Sequence, residues 1–109
     1  MGRRNAKIHP VDELPADECA EKLKALSEPT RLRIVDLLRS GPATVSEIAA
    51  SLEIELMLAS HHLRLLRAAG FLDRTKRGRF AVYALRRGVA ARDQIDLGCC
   101  QLKLPRSGN

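Results

Sequence analysis

Residues 44–70 read TVSEIAASLEIELMLASHHLRLLRAAG, and this stretch decides the fold. Thr44 is followed three residues later by Glu47, which is the spacing of a capping box, so a helix is predicted to begin there. Apolar residues then recur at helical spacing on both sides of a short break at 53–55. Gly70 suits the end of the second helix because glycine tolerates a positive φ. The stretch therefore predicts two short helices joined by a tight turn.

The second helix of this pair, predicted over Glu55 to Ala69, carries side chains that suit a nucleic acid. A helix-turn-helix places its second helix in the major groove of DNA. Hydroxyl, imidazole and guanidinium groups bind phosphates and base edges. The candidate DNA-binding residues of this helix are Ser60, His61, Arg64 and Arg67.

The composition favours a small helical domain with a polyanionic partner. The chain has 109 residues, 3% of them aromatic, so its core must be built from aliphatic side chains. Lys and Arg number 19 against 13 Asp and Glu, a net charge of +6, and nucleic acid is the commonest polyanion for such a protein. No apolar run approaches the length of a membrane span, and no secretory segment follows Met1 to Lys7, so a cytoplasmic protein without a membrane partner is expected.

The segments that flank this pair of helices complete the predicted domain. Residues 1–10 form a basic arm without periodicity, and an amphipathic helix is predicted to begin near residue 14 and to end near Ser27. A second, more apolar helix is predicted over Arg31 to Ser40, behind the separator Glu28-Pro29-Thr30. We expect an arm at 1–10, a DNA-binding domain at 11–87 and a tail at 88–109.

After Gly70 the pattern changes to FLDRTKRGRFAVYAL, which predicts a β-hairpin with a basic tip, Lys76-Arg77-Gly78-Arg79, between its arms. The chain is thus mainly α with a small β-hairpin. The cations of the hairpin are candidates for binding a phosphate backbone; they are Arg74, Lys76, Arg77 and Arg79. Residues 86–91 fit a short helical turn or a linker, and residues 100–104 alternate in polarity as a strand does.

Four separated motifs, LSEPTRLRIVDLLRSG, TVSEIAASL, ASHHLRLLRAAGFL and RGRFAVYAL, resemble the ArsR/SmtB winged-helix repressors of bacteria and archaea. The resemblance covers roughly Leu23 to Leu85. It implies a winged helix-turn-helix homodimer, with helices at the two chain ends forming the interface, and repression of a palindromic operator until an effector binds. The residues that match the family's DNA-facing and wing positions are Ser60, His61, Arg64, Lys76, Arg77 and Arg79. His62 and Leu63 match the family's His-Leu pair, whose imidazole is more often structural.

The chain also departs from the family. The helix that carries a Cys-x-Cys metal motif in many members reads Val45 to Ala49 here, without a thiol, and no histidine follows His62 to supply the family's C-terminal zinc site. The recognition helix opens on the apolar run Leu56 to Leu58, where polar residues are usual. Base reading through methyl contacts to thymine remains open to such residues.

The remaining candidates for effector binding are Cys99, Cys100 and Cys19. Adjacent residues lie ~3.8 Å apart at Cα, below the ~4.4 Å that disulfides need, so a bond between Cys99 and Cys100 is disfavoured. Three cysteines are also too few and too unevenly placed for a disulfide framework. The resemblance brings the first helix and the tail together at the dimer interface, so Cys19 is the expected third thiolate, across subunits in one arrangement. Related repressors sense arsenite, antimonite or reactive sulfur through such cysteines; purely structural cysteines are the equal alternative.

Two other functions fit parts of the sequence. A winged-helix protein-interaction module with structural cysteines would use Leu56, Met57 and Leu58 as an apolar docking patch. A thiol enzyme would pair Cys99 or Cys100 with a histidine, but all three histidines precede the hairpin and no acid–base motif is present. The sequence therefore favours a non-enzymatic, operator-binding repressor.

Overall fold

The fold, seen in a computed structural model that describes residues 15–105, consists of four helices and six short strands. The helices are α1 (Ala16–Leu26), α2 (Pro29–Leu38), α3 (Val45–Leu52) and α4 (Leu56–Ala68). The strands are β1 (Ala43–Thr44), β2 (Leu72–Arg77), β3 (Phe80–Leu85), β4 (Ala90–Ala91), β5 (Gln94–Asp96) and β6 (Gln101–Lys103). The basic arm predicted at 1–10 lies outside the described residues.

Helix α2 begins two residues earlier than the sequence suggested. Glu28 is its N-cap and accepts a hydrogen bond from the backbone N–H of Arg31 at 3.0 Å. Pro29 occupies the first helical position, where its missing N–H costs nothing because that group has no partner within a helix. The residues predicted as a separator are therefore the start of the helix, which ends at Leu38 rather than Ser40.

The helix-turn-helix has the predicted form. Thr44 Oγ1 accepts from the backbone N–H of Glu47 at 3.2 Å, and the Glu47 carboxylate accepts from the backbone N–H of Thr44 at 2.8 Å. Both halves of the capping box are thus present at the start of α3. Helix α4 ends two residues before Gly70, which has the left-handed φ of +91° that lets the chain turn into β2.

Strands β1, β3 and β2 form an antiparallel sheet with β3 in the middle. This sheet is the wing. In its register Arg77 faces Phe80, so the turn contains only Gly78 and Arg79. The predicted four-residue tip was too long: Lys76 and Arg77 belong to β2, because a two-residue turn matches the twist of the strands.

One aliphatic core joins the helices and the root of the wing. Helix α4 packs on α2 and α3. The buried core residues are Leu26, Ile34, Val35, Leu38, Ile48, Leu63, Leu66, Phe71, Leu72, Val89, Ile95 and Leu97. The last three of these come from the tail, which is therefore part of the same core. None of the helices within residues 15–105 is long and apolar enough to span a bilayer.

The tail is a second antiparallel sheet, ordered β4-β5-β6. Residues 86–91 form turns and then β4, so neither a helical turn nor a linker describes them fully. The strand predicted over 100–104 is confirmed over 101–103, where β6 lies. The resemblance implied a helix at the C-terminal end, but within residues 15–105 no helix follows α4. The buried residues Ile95 and Leu97 alternate with less buried neighbours, and Gly98 turns the chain with φ +89°, which is a strand-turn pattern.

Candidate nucleic-acid interface and thiol cluster

Helix α4 has one buried face and one exposed face. Its buried residues recur at helical spacing and turn towards the core; they are Ala59, His62, Leu63 and Leu66. The residues that the sequence assigned to DNA are all exposed; they are Ser60, His61, Arg64 and Arg67. The packing of α4 therefore leaves its polar residues outside, as a recognition helix requires.

Arg64 and His61 are one turn apart on the exposed face and contact each other. Nη2 of Arg64 donates to Nδ1 of His61 at 3.1 Å. Because a guanidinium can only donate, this Nδ1 is unprotonated and the Nε2–H of His61 is free to donate. The pair thus offers several hydrogen-bond donors to a phosphate or a guanine edge.

The first turn of α4 is exposed and apolar. Leu56, Met57 and Leu58 keep 50%, 83% and 43% of their surface exposed. Glu55, the N-cap, makes no side-chain hydrogen bond to the helix. The apolar run that departs from the family's usual polar residues is thus on the surface and does not extend the core.

The wing presents its cations to solvent. The predicted phosphate-binding residues of the hairpin, Arg74, Lys76, Arg77 and Arg79, are all exposed. Arg74 and Lys76 are two residues apart in β2 and share one face of the sheet, while Arg77 is on the other face. Phe80, opposite Arg77, is 58% exposed.

The charges of α4 and the wing are not neutralised by the described part of the chain. The ion pairs found in residues 15–105 join Arg39 to Asp36 and Arg86 to Asp73. Neither ion pair contains a cation of the candidate interface. That interface has six cations, which are Arg64, Arg67, Arg74, Lys76, Arg77 and Arg79. Because β2 follows α4 after a short turn and packs against it, the helix and the wing form neighbouring surfaces that together carry six exposed cations.

His62, which matches the family's structural histidine, is buried and bonded to α2. Nη1 of Arg31 lies 3.1 Å from its Nδ1, and Nε of Arg31 donates to the backbone oxygen of Ala25 at 2.6 Å. Burial lowers the pKa of His62, Glu28 opposes this, and the Arg31 charge adds to the lowering. The role of Arg31 was missed by sequence reasoning, since no local pattern marks a partner 31 positions away.

The three cysteines are gathered on one side of α1. A disulfide joins Cys19 of α1 to Cys99 of the tail, with 5.9 Å between their Cα atoms, and Cys100 is free. All three sulfurs lie within 4.8 Å of one another. The sequence correctly disfavoured a bond between the vicinal cysteines and grouped Cys19 with them. It did not predict a bond within one chain, since Cys19 and Cys99 are 80 residues apart.

A lysine and a polar hollow adjoin the thiol cluster. Nζ of Lys22, one turn after Cys19, donates to the backbone oxygen of Leu97 at 3.0 Å. The hollow has a volume of about 480 Å³ and is lined by Asp96, Gly98, Cys99, Cys100 and Gln101. Three thiols in this arrangement fit a thiophilic ion once the disulfide is reduced, because soft thiolates select soft acceptors.

Comparisons with known proteins agree with this fold. Residues 28–74 match the family described as "Bacterial regulatory protein, arsR family". The chain is 39% identical over 82 residues to the HTH-type transcriptional regulator NmtR of Mycobacterium tuberculosis, covering 75% of this chain and 68% of that protein. It is 37% identical over 81 residues to a cadmium resistance transcriptional regulatory protein CadC homolog of Staphylococcus aureus, covering 73% and 62%.

Among solved structures, the chain is similar to the homodimeric winged helix-turn-helix DNA-binding domain of Mb0332 from Mycobacterium bovis, with a TM-score of 0.64. The two are 30% identical, and the likeness covers 74% of this chain and 75% of that one. Fold and exposed cations together define a winged helix-turn-helix regulatory protein. Within that class, the chain belongs to the arsR family.

Proposed function

We propose that the chain represses transcription as a homodimer bound to a double-stranded DNA operator, and that a thiophilic effector releases it. The observation that carries the first part is the set of six exposed cations on α4 and the wing, none of them in an ion pair with a described residue. Phosphates are the partners that such a surface attracts. Ser60 and His61, on the same helix, are the proposed base-reading polar residues.

The dimer is proposed to form through α1 and the tail. Leu23 of α1 is 41% exposed, and both elements lie at the ends of the described chain. The homodimeric description of the Mb0332 domain supports this arrangement. Two recognition helices related by a two-fold axis bind half-sites one helical turn apart, about 34–36 Å, so the operator is expected to be palindromic.

The thiol cluster is the proposed effector site. A dithiol or glutathione-type reductant first converts the Cys19–Cys99 bond into two thiols: the reductant's two thiols supply two electrons and two protons and become a disulfide. Arsenous or antimonous acid then exchanges its three hydroxyl groups for the sulfurs of Cys19, Cys99 and Cys100, and the thiol protons leave with those hydroxyls as water. The cadmium resistance description of the CadC homolog supports sensing of a thiophilic ion.

A chain of contacts links the proposed effector site to the DNA-binding helix. Cys19 and Ala25 belong to the same helix, α1. The Ala25 carbonyl holds Nε of Arg31, whose Nη1 contacts His62 in α4. A shift of α1 on ion binding would therefore move Arg31 against the recognition helix, which is the coupling between two sites that release requires.

Fluorescence anisotropy with DNA from upstream of the chain's own gene tests the repressor proposal. We expect binding of a dimer that weakens steeply as salt rises, because phosphate contacts release counterions. A correctly folded dimer without salt-sensitive binding to this DNA would contradict it.

Arsenite added to the reduced protein–DNA complex tests the effector proposal: we expect DNA release, and none with Cys100→Ser. Release by a persulfide donor alone would instead indicate a reactive sulfur effector.

The protein-interaction module is kept as the second candidate because Leu56, Met57 and Leu58 are exposed together. Reversing the charges of Lys76, Arg77 and Arg79 separates the two functions. Charge reversal abolishes DNA binding by a repressor, whereas docking through the apolar residues would be insensitive to it.

A further inference from the structure

Three exposed apolar residues are contiguous in the first turn of α4; they are Leu56, Met57 and Leu58. Single exposed leucines are normal on protein surfaces, but three neighbouring apolar side chains form a patch that indicates a binding partner. Met57, between Leu56 and Leu58, is the most exposed of the three, at 83%.

Met57, at the centre of the patch, lies on the same side of α4 as the exposed polar residues. Met57, His61 and Arg64 are spaced four and three residues apart, so they form one line along α4. The buried residues, such as Leu63 and Leu66, occupy the opposite side. Met57 therefore lies at the N-terminal end of the line that carries the proposed DNA contacts.

The position of the patch in the fold determines which part of DNA it can reach. The N-terminal residues of a recognition helix contact base edges in the major groove. Methionine and leucine side chains cannot donate or accept the hydrogen bonds that most base edges offer. The C5-methyl group of thymine is the apolar group in the major groove, and it is the favourable partner for such side chains.

The surrounding charge favours DNA over a protein partner or a second copy. Arg64 and Arg67 lie further along the exposed side of the same helix, and the wing cations follow it in the chain. A second copy docked on this patch would bring two sets of unpaired cations together, which costs free energy. A polyanion with methyl groups in its groove satisfies both the charge and the apolar surface.

We infer that the first turn of α4 reads thymine methyl groups, with Met57 as the central specificity-determining residue and Leu56 and Leu58 beside it. The inference rests on the proposed DNA-binding function. Sequence readout then divides along the helix: the apolar first turn selects thymine by its methyl, and the pair His61 and Arg64 supplies hydrogen bonds further along. Each operator half-site contains thymine opposite the first turn.

The experiment begins with selection of binding sequences from a random DNA duplex library by the full chain. The selected duplex is then prepared with deoxyuridine in place of thymidine, which removes the methyl group and leaves every hydrogen-bonding group unchanged. Burial of one methyl-sized group is worth about 0.8 kcal/mol, so each contacted thymine is expected to give about a fourfold loss of affinity. 5-Bromodeoxyuridine, whose halogen occupies the methyl position, should restore binding.

Two variants test whether the apolar patch causes the difference in affinity between thymidine and deoxyuridine duplexes. In Met57→Ser the difference between thymidine and deoxyuridine duplexes should shrink, while Leu65→Ser, which changes an exposed leucine two turns further along α4, should keep it. Circular dichroism checks that both variants remain folded. Because the readout is a ratio of two affinities, a general loss of binding does not affect it.

The outcomes separate this inference from the function on which it rests. Failure to enrich any sequence would defeat the proposed DNA-binding function itself. Enrichment followed by equal binding of thymidine and deoxyuridine duplexes would overturn the methyl readout and leave the repressor proposal standing. Retention of the full difference in Met57→Ser would also overturn the role of that residue. Loss of self-association in Met57→Ser, with unchanged DNA binding, would assign the patch to a second copy instead.

Discussion

Arg31 of α2 donates from Nη1 to Nδ1 of His62 in the recognition helix at 3.1 Å. A guanidinium has no acceptor, so Nδ1 must be the unprotonated nitrogen and His62 is neutral in this contact. Protonation would place two cations against each other in a buried site. The contact therefore couples the position of the recognition helix to the protonation of one histidine.

Acidification is expected to destabilise the protein through His62. Its folded pKa is lowered from the ordinary value of 6.5, first by burial, with the Arg31 charge adding to the effect. As the pH falls below 6.5, His62 binds a proton in the unfolded chain more readily than in the folded one, so the free energy of unfolding falls. Above that pH His62 is neutral in both states, and its contribution to stability is fully present. Urea denaturation on either side of this pH measures it.

The matched variants for this pH effect are His62→Gln and His61→Gln. Replacing His62 should flatten the loss of stability on acidification, because the titrating group is gone. Replacing the exposed His61 should keep most of the wild-type pH dependence, because the charge of His61 is the smallest of the causes that shift the pKa of His62. An unchanged pH dependence in His62→Gln would assign the effect to other groups.

Local signals made the helix-turn-helix predictable from the sequence. The Thr44–Glu47 capping box and Gly70 act within a few residues, and the structure reproduces both. The sequence alone misplaces the start of α2, because Glu28-Pro29-Thr30 has the composition of a separator, although proline is common at the first helical position.

Long-range contacts were less accessible to sequence reasoning. The Arg31–His62 contact and the Cys19–Cys99 disulfide join residues 31 and 80 positions apart, and neither is marked by a periodic pattern. The tail was only partly predicted, because its three strands are two or three residues long and carry little periodicity. The exposure of the DNA-binding candidates in α4 is predictable from helical spacing, because the apolar residues of the helix identify its buried side.

Thr44→Ala is expected to lower the free energy of unfolding by about 1 kcal/mol, because the backbone N–H of Glu47 loses its acceptor at the start of α3. Chemical denaturation measures the change. Ser46→Ala is the control, since Ser46 is exposed inside the same helix and is not its N-cap. Equal effects of the two substitutions would show that the capping contact contributes little.

Thiol chemistry should distinguish two states of the chain. The structure with the Cys19–Cys99 bond has one free thiol, Cys100, and complete reduction should raise the number to three. Titration with a thiol reagent under denaturing conditions, before and after reduction, measures both values. In Cys19→Ser the number of free thiols should be two without a reductant. A value of zero would mean that Cys99 and Cys100 bond to each other, which would contradict the geometric argument against the vicinal disulfide.

Lys22→Met should loosen the tail from α1, because Nζ of Lys22 donates to the Leu97 carbonyl at 3.0 Å and a thioether cannot. Amide hydrogen exchange in 94–103 should be faster in this variant than in the wild type, most clearly after reduction removes the disulfide. Lys24→Met, which changes an exposed lysine of the same helix, is the control. Equal exchange in the two variants would show that the Lys22 contact does not hold the tail.

Neutralising the wing should change the salt dependence of DNA binding more than it changes the fold. Lys76, Arg77 and Arg79 are exposed and form no ion pair with a described residue, so substitution by Gln removes no internal partner. Each lost phosphate contact should reduce the slope of log K against log salt by about 0.9 in each protomer. Lys103→Gln, in β6 of the tail, removes an exposed charge away from the wing and should leave the slope unchanged. If the triple variant kept the wild-type slope, the wing would not contact phosphates, and the cations of α4 alone would have to account for binding.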